Sequence, residues 1–295
     1  MTLRSLLIGY DRWWFRKAPP HALAILRIGF GAFLLFYWGI RLPHAAMLYS
    51  REGILLPMPA GPLSFLFAPP SPQVATLRLC LMLSALLSFT VGFRTRLSAA
   101  VTFILYVYYW RLSLFQLGAS FDRLFLFFLL ILACSGCGKT LSADMRLRKG
   151  SFFAWEPVSI FPQRLIAMQI AATYLGVGWQ KLTLRAWWSG EVLSVGFMGR
   201  WATPPAWAIA RLNLPIWVYD AQVYLVKLFE LTIPFGLWFR KTRWWYMLGG
   251  LLFHTGITIL LGIWWFQVLI PAYIVFFQPE EVYGFLKRRL PDRIA

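Results

Sequence analysis

The sequence reads as an all-α, polytopic membrane helical bundle of about eight transmembrane helices, on three grounds. The 295 residues are 59% hydrophobic and only 14% charged, against roughly 25% charged in soluble domains. Several segments run fifteen or more residues without a formal charge, which is the length scale of a membrane span. The 29 Lys and Arg residues fall in short clusters between those runs. A net charge of +18 would suggest nucleic acid in a soluble protein. Distributed in this way it points to anionic headgroups and topology, so the expected partner is the lipid bilayer and no nucleic acid.

Residues 1–20 are basic and aromatic, with no small-residue cleavage site behind an apolar core, and they read as a cytoplasmic interfacial segment. Trp13, Trp14 and Phe15 are expected at headgroup depth, with Arg12, Arg16 and Lys17 toward lipid phosphate. The first span is His21–Ile40 and holds Arg27, within snorkelling reach of the cytoplasmic interface. A loop rich in Pro and Gly, irregular or re-entrant, covers 41–73. Spans at Val74–Phe93, Leu97–Leu117 and Phe121–Cys134 follow, then a basic loop to Gln163. The fifth span is Arg164–Gln180, a long aromatic loop occupies 181–217, and the sixth span is Val218–Phe239.

Residues 244–277 contain no formal charge. As one helix they would reach about 51 Å, well beyond a hydrocarbon core of about 30 Å. Two short spans joined near Gly262 place both termini in the cytoplasm. Counting residues near span ends with the adjoining segment, the inner side then carries 18 Lys and Arg and the outer side 8, with Arg27, Arg78 and Lys227 the remaining three. A seven-span chain would put the basic tail outside, against the positive-inside bias. The domain plan is therefore 1–20 interfacial, 21–278 transmembrane and 279–295 a basic cytoplasmic tail, in a multi-pass protein of the cell (inner) membrane.

Chemistry is expected around Tyr174–Gly190. Tyr174, Gly178 and Lys181 are spaced to share one helix face. Gly178 opens a notch for a flat cofactor or for another helix. Lys181 has two readings. An ammonium beside Trp179, Trp187 and Trp188 is an interfacial anchor, whereas a lysine desolvated against an apolar face loses proton affinity and becomes an amine base. Lys227 and Glu230 are three residues apart and could pair in the sixth span, and Asp220 could face the Lys181 loop. His254 stands in the seventh span with no HxxxH, ExxH or paired carboxylate nearby, so no metal is expected.

Two motifs fail. GCGKT at 136–140 would need Gly at position 133 to complete a phosphate loop, and Ala133 is there. Cys134 and Cys137 form a lone CxxC on the expected reducing side, too little for zinc or for a disulfide framework.

Several stretches in order resemble the horizontally transferred transmembrane (HTTM) domain family, the bacterial relatives of vitamin K-dependent gamma-carboxylase. They are LRIGFGAFLLFYWGIR with YSREGILLP, GFRTRLSAAVTF, SFDRLFLFF, TLSAD, YLGVGWQKL with WWSGE, KLFELTIP and FHTGITILLGIWWF. The resemblance implies a reduced quinone, vitamin K- or menaquinol-like, deprotonated by a lysine. Oxygen converts it to an epoxide through a strong base that prepares a glutamate for carbon dioxide. Lys181 matches that lysine, and His254 matches a family histidine followed twelve residues on by Phe, here Phe266, so the resemblance implies Lys181 and His254 as the catalytic residues. Tyr174, Gly178, Trp179 and Glu230 are the implied cofactor-binding wall, at the outer membrane face, before a peptide or small-molecule substrate. Gln180 and Ile257 stand where the carboxylase has a lysine and an asparagine. The alternative is a non-catalytic accessory for maturation or export of a secreted peptide, docking through 181–217.

Overall fold

The computed structural model describes residues 3–56, 64–115 and 119–290. The Pro-rich part of the first loop at 57–63, the end of the third expected span at 116–117 and Arg293 of the tail lie outside the described residues. Along the chain come α1 (Leu3–Phe15), α2 (His21–Gly39), α3 (Ala45–Tyr49), α4 (Pro72–Val91), α5 (Thr95–Leu112), α6 (Ser120–Cys134) and α7 (Ala143–Lys149). Then follow α8 (Phe161–Thr183), α9 (Glu191–Gly196), α10 (Pro204–Ala210), α11 (Ile216–Gly236), α12 (Arg243–Leu261), α13 (Leu269–Ala272) and α14 (Pro279–Arg289). Two-residue strands β1 (Lys17–Ala18) and β2 (Val158–Ser159) pair antiparallel, Lys17 opposite Ser159. The all-helical expectation holds.

Three stretches are long and apolar enough to cross a membrane: His21–Tyr49, Pro72–Val91 and Arg243–Leu261. The other expected spans are helices of a different kind. α6 has 15 residues and rises about 22 Å, short of the hydrocarbon thickness. α8 and α11 are longer but carry Arg164 and Lys181, and Asp220, Lys227 and Glu230. The expected eighth span is not one helix. Gly262 at φ +63° ends α12, so the turn falls where it was expected, but Trp264–Phe276 is a run of short 3₁₀ and α segments. Pro271 lies inside this run and removes a backbone donor, which stops a regular α-helix from propagating.

The chain forms two compact units, residues 1–165 with 277–295, and residues 166–276. In the first unit α2, α4, α5 and α6 pack in succession around Phe30, Phe125 and Phe128, whose rings meet edge to face. Gly31 lies against Thr90 so closely that a Cβ would strike its hydroxyl, which brings α2 and α4 together. Arg27 does not snorkel. It is fully buried and donates from Nη1 to the Cys137 carbonyl at 2.9 Å and from Nη2 to the Leu141 carbonyl. Nor does Arg16 point only to lipid, since it ion-pairs with Glu280 of α14 at 2.5 Å. The first-turn acids and last-turn bases of α14 suit the helix dipole.

The second unit contains most of α8 and everything to Phe276. The segment 181–217, expected as a loop, is largely helical. α9 and α10 close over a small core of Phe197, Ala206 and Tyr219, and Thr203 N–H bonds the Leu260 carbonyl at 3.1 Å. The sequence hides this because its Pro and Trp residues read as loop punctuation, whereas Pro204 occupies a first helical turn, where it is well tolerated.

Candidate functional site

The site is built on one face of α8. Tyr174, Gly178 and Lys181 recur at helical spacing there, and the second unit places a different partner opposite each. At Tyr174 the phenol oxygen lies 2.6 Å from His254 Nε2 and 2.6 Å from the Tyr273 hydroxyl. All three side chains are buried. His254 comes from α12 and Tyr273 from the segment after α13, so three separate stretches of chain meet in one hydrogen-bonded group. The Phe266 ring stands 6.0 Å from the imidazole. Because Tyr174 has one proton and two partners, it donates to one and accepts from the other.

At Gly178, α11 approaches closely. A Cβ on this glycine would lie 3.1 Å from Leu231 and 3.2 Å from Glu230 Cβ. The notch therefore seats a helix, the second of the two uses open to it. One turn further, Lys181 Nζ donates to Glu230 Oε1 in an ion pair whose side chains are only 12% and 5% exposed. The Trp187 ring covers the ammonium from 4.5 Å. This is not the geometry of a lysine reaching out to headgroups.

The expected Lys227–Glu230 pair is replaced by this one. Lys227 is buried, with its ammonium 5.0 Å above the Tyr224 ring on its own helix. Local spacing offered Glu230 a neighbour three residues away, while packing supplies one 49 residues away. Asp220 meets the Lys181 segment as anticipated, accepting the Gly190 N–H at 2.6 Å. The close approach of Gly190 to Tyr219 and Asp220 leaves no room for a Cβ. Trp179 is 65% exposed and lies off the shared face, so it does not join the others.

Two buried polar atoms here have no hydrogen-bond partner among the described residues: Glu230 Oε2 and His254 Nδ1. Burying such atoms unsatisfied costs about 1–3 kcal/mol each. Glu230 Oε2 is an acceptor for a ligand hydroxyl, and His254 Nδ1 accepts or donates according to the tautomer that its Nε2 contact with Tyr174 sets.

Tyr273 was not singled out from the sequence, because a tyrosine in an apolar run gives no signal beyond its hydroxyl. In the first unit, Asp122 was equally silent. It is buried and accepts from Tyr106 at 2.7 Å, Tyr37 at 3.2 Å and the Ala119 N–H at 2.9 Å. With those bonds satisfied, it serves as a cross-link and helix cap rather than an open acid.

The HTTM domain model matches residues 15–281. The chain belongs to the HTTM domain family. Its membership makes it a membrane protein of the gamma-carboxylase-related group. No curated protein and no solved structure gives a match.

Proposed function

We propose that this HTTM protein is a multi-pass enzyme of the inner membrane that uses a reduced quinone, with Lys181 as the base. The observation that supports this reading is the buried Lys181–Glu230 pair on the same face as the Tyr174–His254–Tyr273 group. A quinol needs polar partners for its hydroxyls inside an apolar wall. The unsatisfied Glu230 Oε2 and His254 Nδ1 fit that need. Lys181, Glu230, Tyr174 and His254 would hold the ring, while Gly178 lets α11 close on α8 and Trp179 plays no direct part. When bound, the quinol would supply the reducing equivalents for reaction with oxygen.

The chain's own part is to hold and move a proton. In the ion-paired form the Lys181 ammonium has no lone pair and cannot act as a base. Passing one proton across its hydrogen bond to Glu230 leaves a neutral amine beside a carboxylic acid. In a poorly solvated site that exchange removes two buried charges at once, so the neutral pair is accessible where it would not be in water. The amine then accepts a proton from an acidic hydroxyl presented to it. Trp187 over Lys181 and the packing of α11 at Gly178 limit water at the pair.

A second reading rests on the surface of the 181–217 segment, where Trp188, Trp201, Trp207 and Trp217 are all exposed. These side chains suit an interfacial belt or a docking surface for a secreted peptide, as an accessory would require. Purified protein supplied with menaquinol or vitamin K hydroquinone separates the two readings. The enzyme reading expects oxygen uptake with quinone epoxide as product. Absence of epoxide with every quinol tested, with loss of cellular function on replacing those tryptophans, would favour the accessory.

A further inference from the structure

A cavity of about 650 Å³ lies in the first unit, where α4 turns into α5. Its wall includes four cationic side chains, Arg94, Arg96, Lys139 and Arg148, and one acid, Asp144. Asp144 is already committed. Its oxygens accept the Arg94 N–H at 2.7 Å, the Thr95 N–H at 2.9 Å and the Thr95 hydroxyl at 2.7 Å. Burial works to raise the proton affinity of Asp144, but those bonds hold its carboxyl below the usual range. Lys139 and Arg148 share Glu156 at 2.6 and 2.9 Å. Arg94 and Arg96 have no carboxylate partner among the described residues. The cavity therefore keeps an excess of positive charge.

Its rim is apolar. Phe93, Leu97 and Leu147 are 41%, 57% and 73% exposed, unusual neighbours for a cluster of cations in water. The membrane-crossing stretch of α4 ends at Val91, so the cavity begins two residues past a span, at the depth of lipid headgroups. The failed phosphate-loop fragment contributes here by another route. Gly136, Gly138 and Lys139 line the same cavity, and Gly138 lets its loop lie directly on Thr95 at the start of α5.

We infer that this cavity binds the phosphate headgroup of an anionic phospholipid, with Arg94 and Arg96 as its free cations and the acyl chains leaving over Phe93, Leu97 and Leu147. A soluble phosphate compound would use the same cations but has no use for the apolar rim. The combination of basic cavity and apolar rim favours the lipid.

Native mass spectrometry of the full-length protein in detergent, with added phosphatidylglycerol or phosphatidylcholine, tests the inference. Wild type should retain one phosphatidylglycerol in preference to phosphatidylcholine. Arg94→Asn with Arg96→Gln should weaken that retention about thirtyfold, and Arg96→Gln alone about fivefold. The single change is on an exposed side chain and keeps the test alive if the double variant fails to fold. Lys287→Gln with Arg289→Gln, on α14, should leave retention as in wild type. Equal retention in the Arg96 variant, or an equal loss in the α14 variant, would overturn the assignment. Displacement of the lipid by millimolar inorganic phosphate would also overturn it, showing a soluble phosphate ligand instead.

Discussion

At the scale of single residues, Lys181 and Tyr174 are defined by what they touch. Tyr174 bridges His254 and Tyr273 inside an apolar surrounding. Tyr174→Phe keeps the ring and removes the bridge, leaving both partners short of a hydrogen bond. The expected cost is about 1–3 kcal/mol of stability, read as a lower thermal midpoint in detergent, with the helical signal otherwise unchanged. A midpoint equal to wild type would mean that the bridge contributes nothing. Half of this site was legible in the sequence. Tyr174, Gly178 and Lys181 could be placed on one face because helical periodicity is local. That Glu230 would choose Lys181 over Lys227, and that Tyr273 would complete the group, depends on which helices pack together. A single sequence holds no local trace of that. Arg27 shows the same limit, since carbonyls more than a hundred residues away hold it.

At the scale of elements, the apolar runs predicted helices well, because length and hydropathy are properties of a run. The run 264–276 departed where Pro271 interrupts it, and 181–217 departed where proline starts a helix rather than ending one. The 139–156 segment adds a consequence of charge. The Lys139 ammonium, against the opposing effect of burial, and then Lys149 and Arg148 hold the Glu156 carboxyl down at about 2. An ordinary glutamate titrates near 4.3. Because the folded value lies below the ordinary one, the contribution of Glu156 is full above about pH 5 and is lost as pH falls through its folded value. Pepsin, active in acid, should therefore spare the Phe152–Trp155 stretch of wild type at pH 4 and cut it near pH 2. Glu156→Gln should be cut at both. Equal cleavage of the two proteins at pH 4 would show that the cluster does not order this segment.

At the scale of the whole molecule, three stretches have the length and apolarity to span, while charge asymmetry in the sequence argued for eight spans with both termini inside. Reporter fusions after Arg289 and within 139–156 should fluoresce as cytoplasmic fusions of green fluorescent protein do. Alkaline phosphatase inserted in 181–217 should be active outside the cell membrane. Phosphatase activity at the C-terminal fusion would contradict the eight-span topology. The topology matters to function because it sets the side on which the Lys181–Glu230 pair meets its substrate. The role of Lys181 is decided by the rate of quinone epoxide formation by purified wild type, Lys181→Ala and Glu230→Gln with one active quinol. With Lys181 as base and Glu230 as the partner that frees it, Lys181→Ala should lower the rate by about 10²- to 10⁴-fold, and Glu230→Gln should lower it in the same direction. A Lys181→Ala protein that folds and turns over at the wild-type rate would show that Lys181 is not the base.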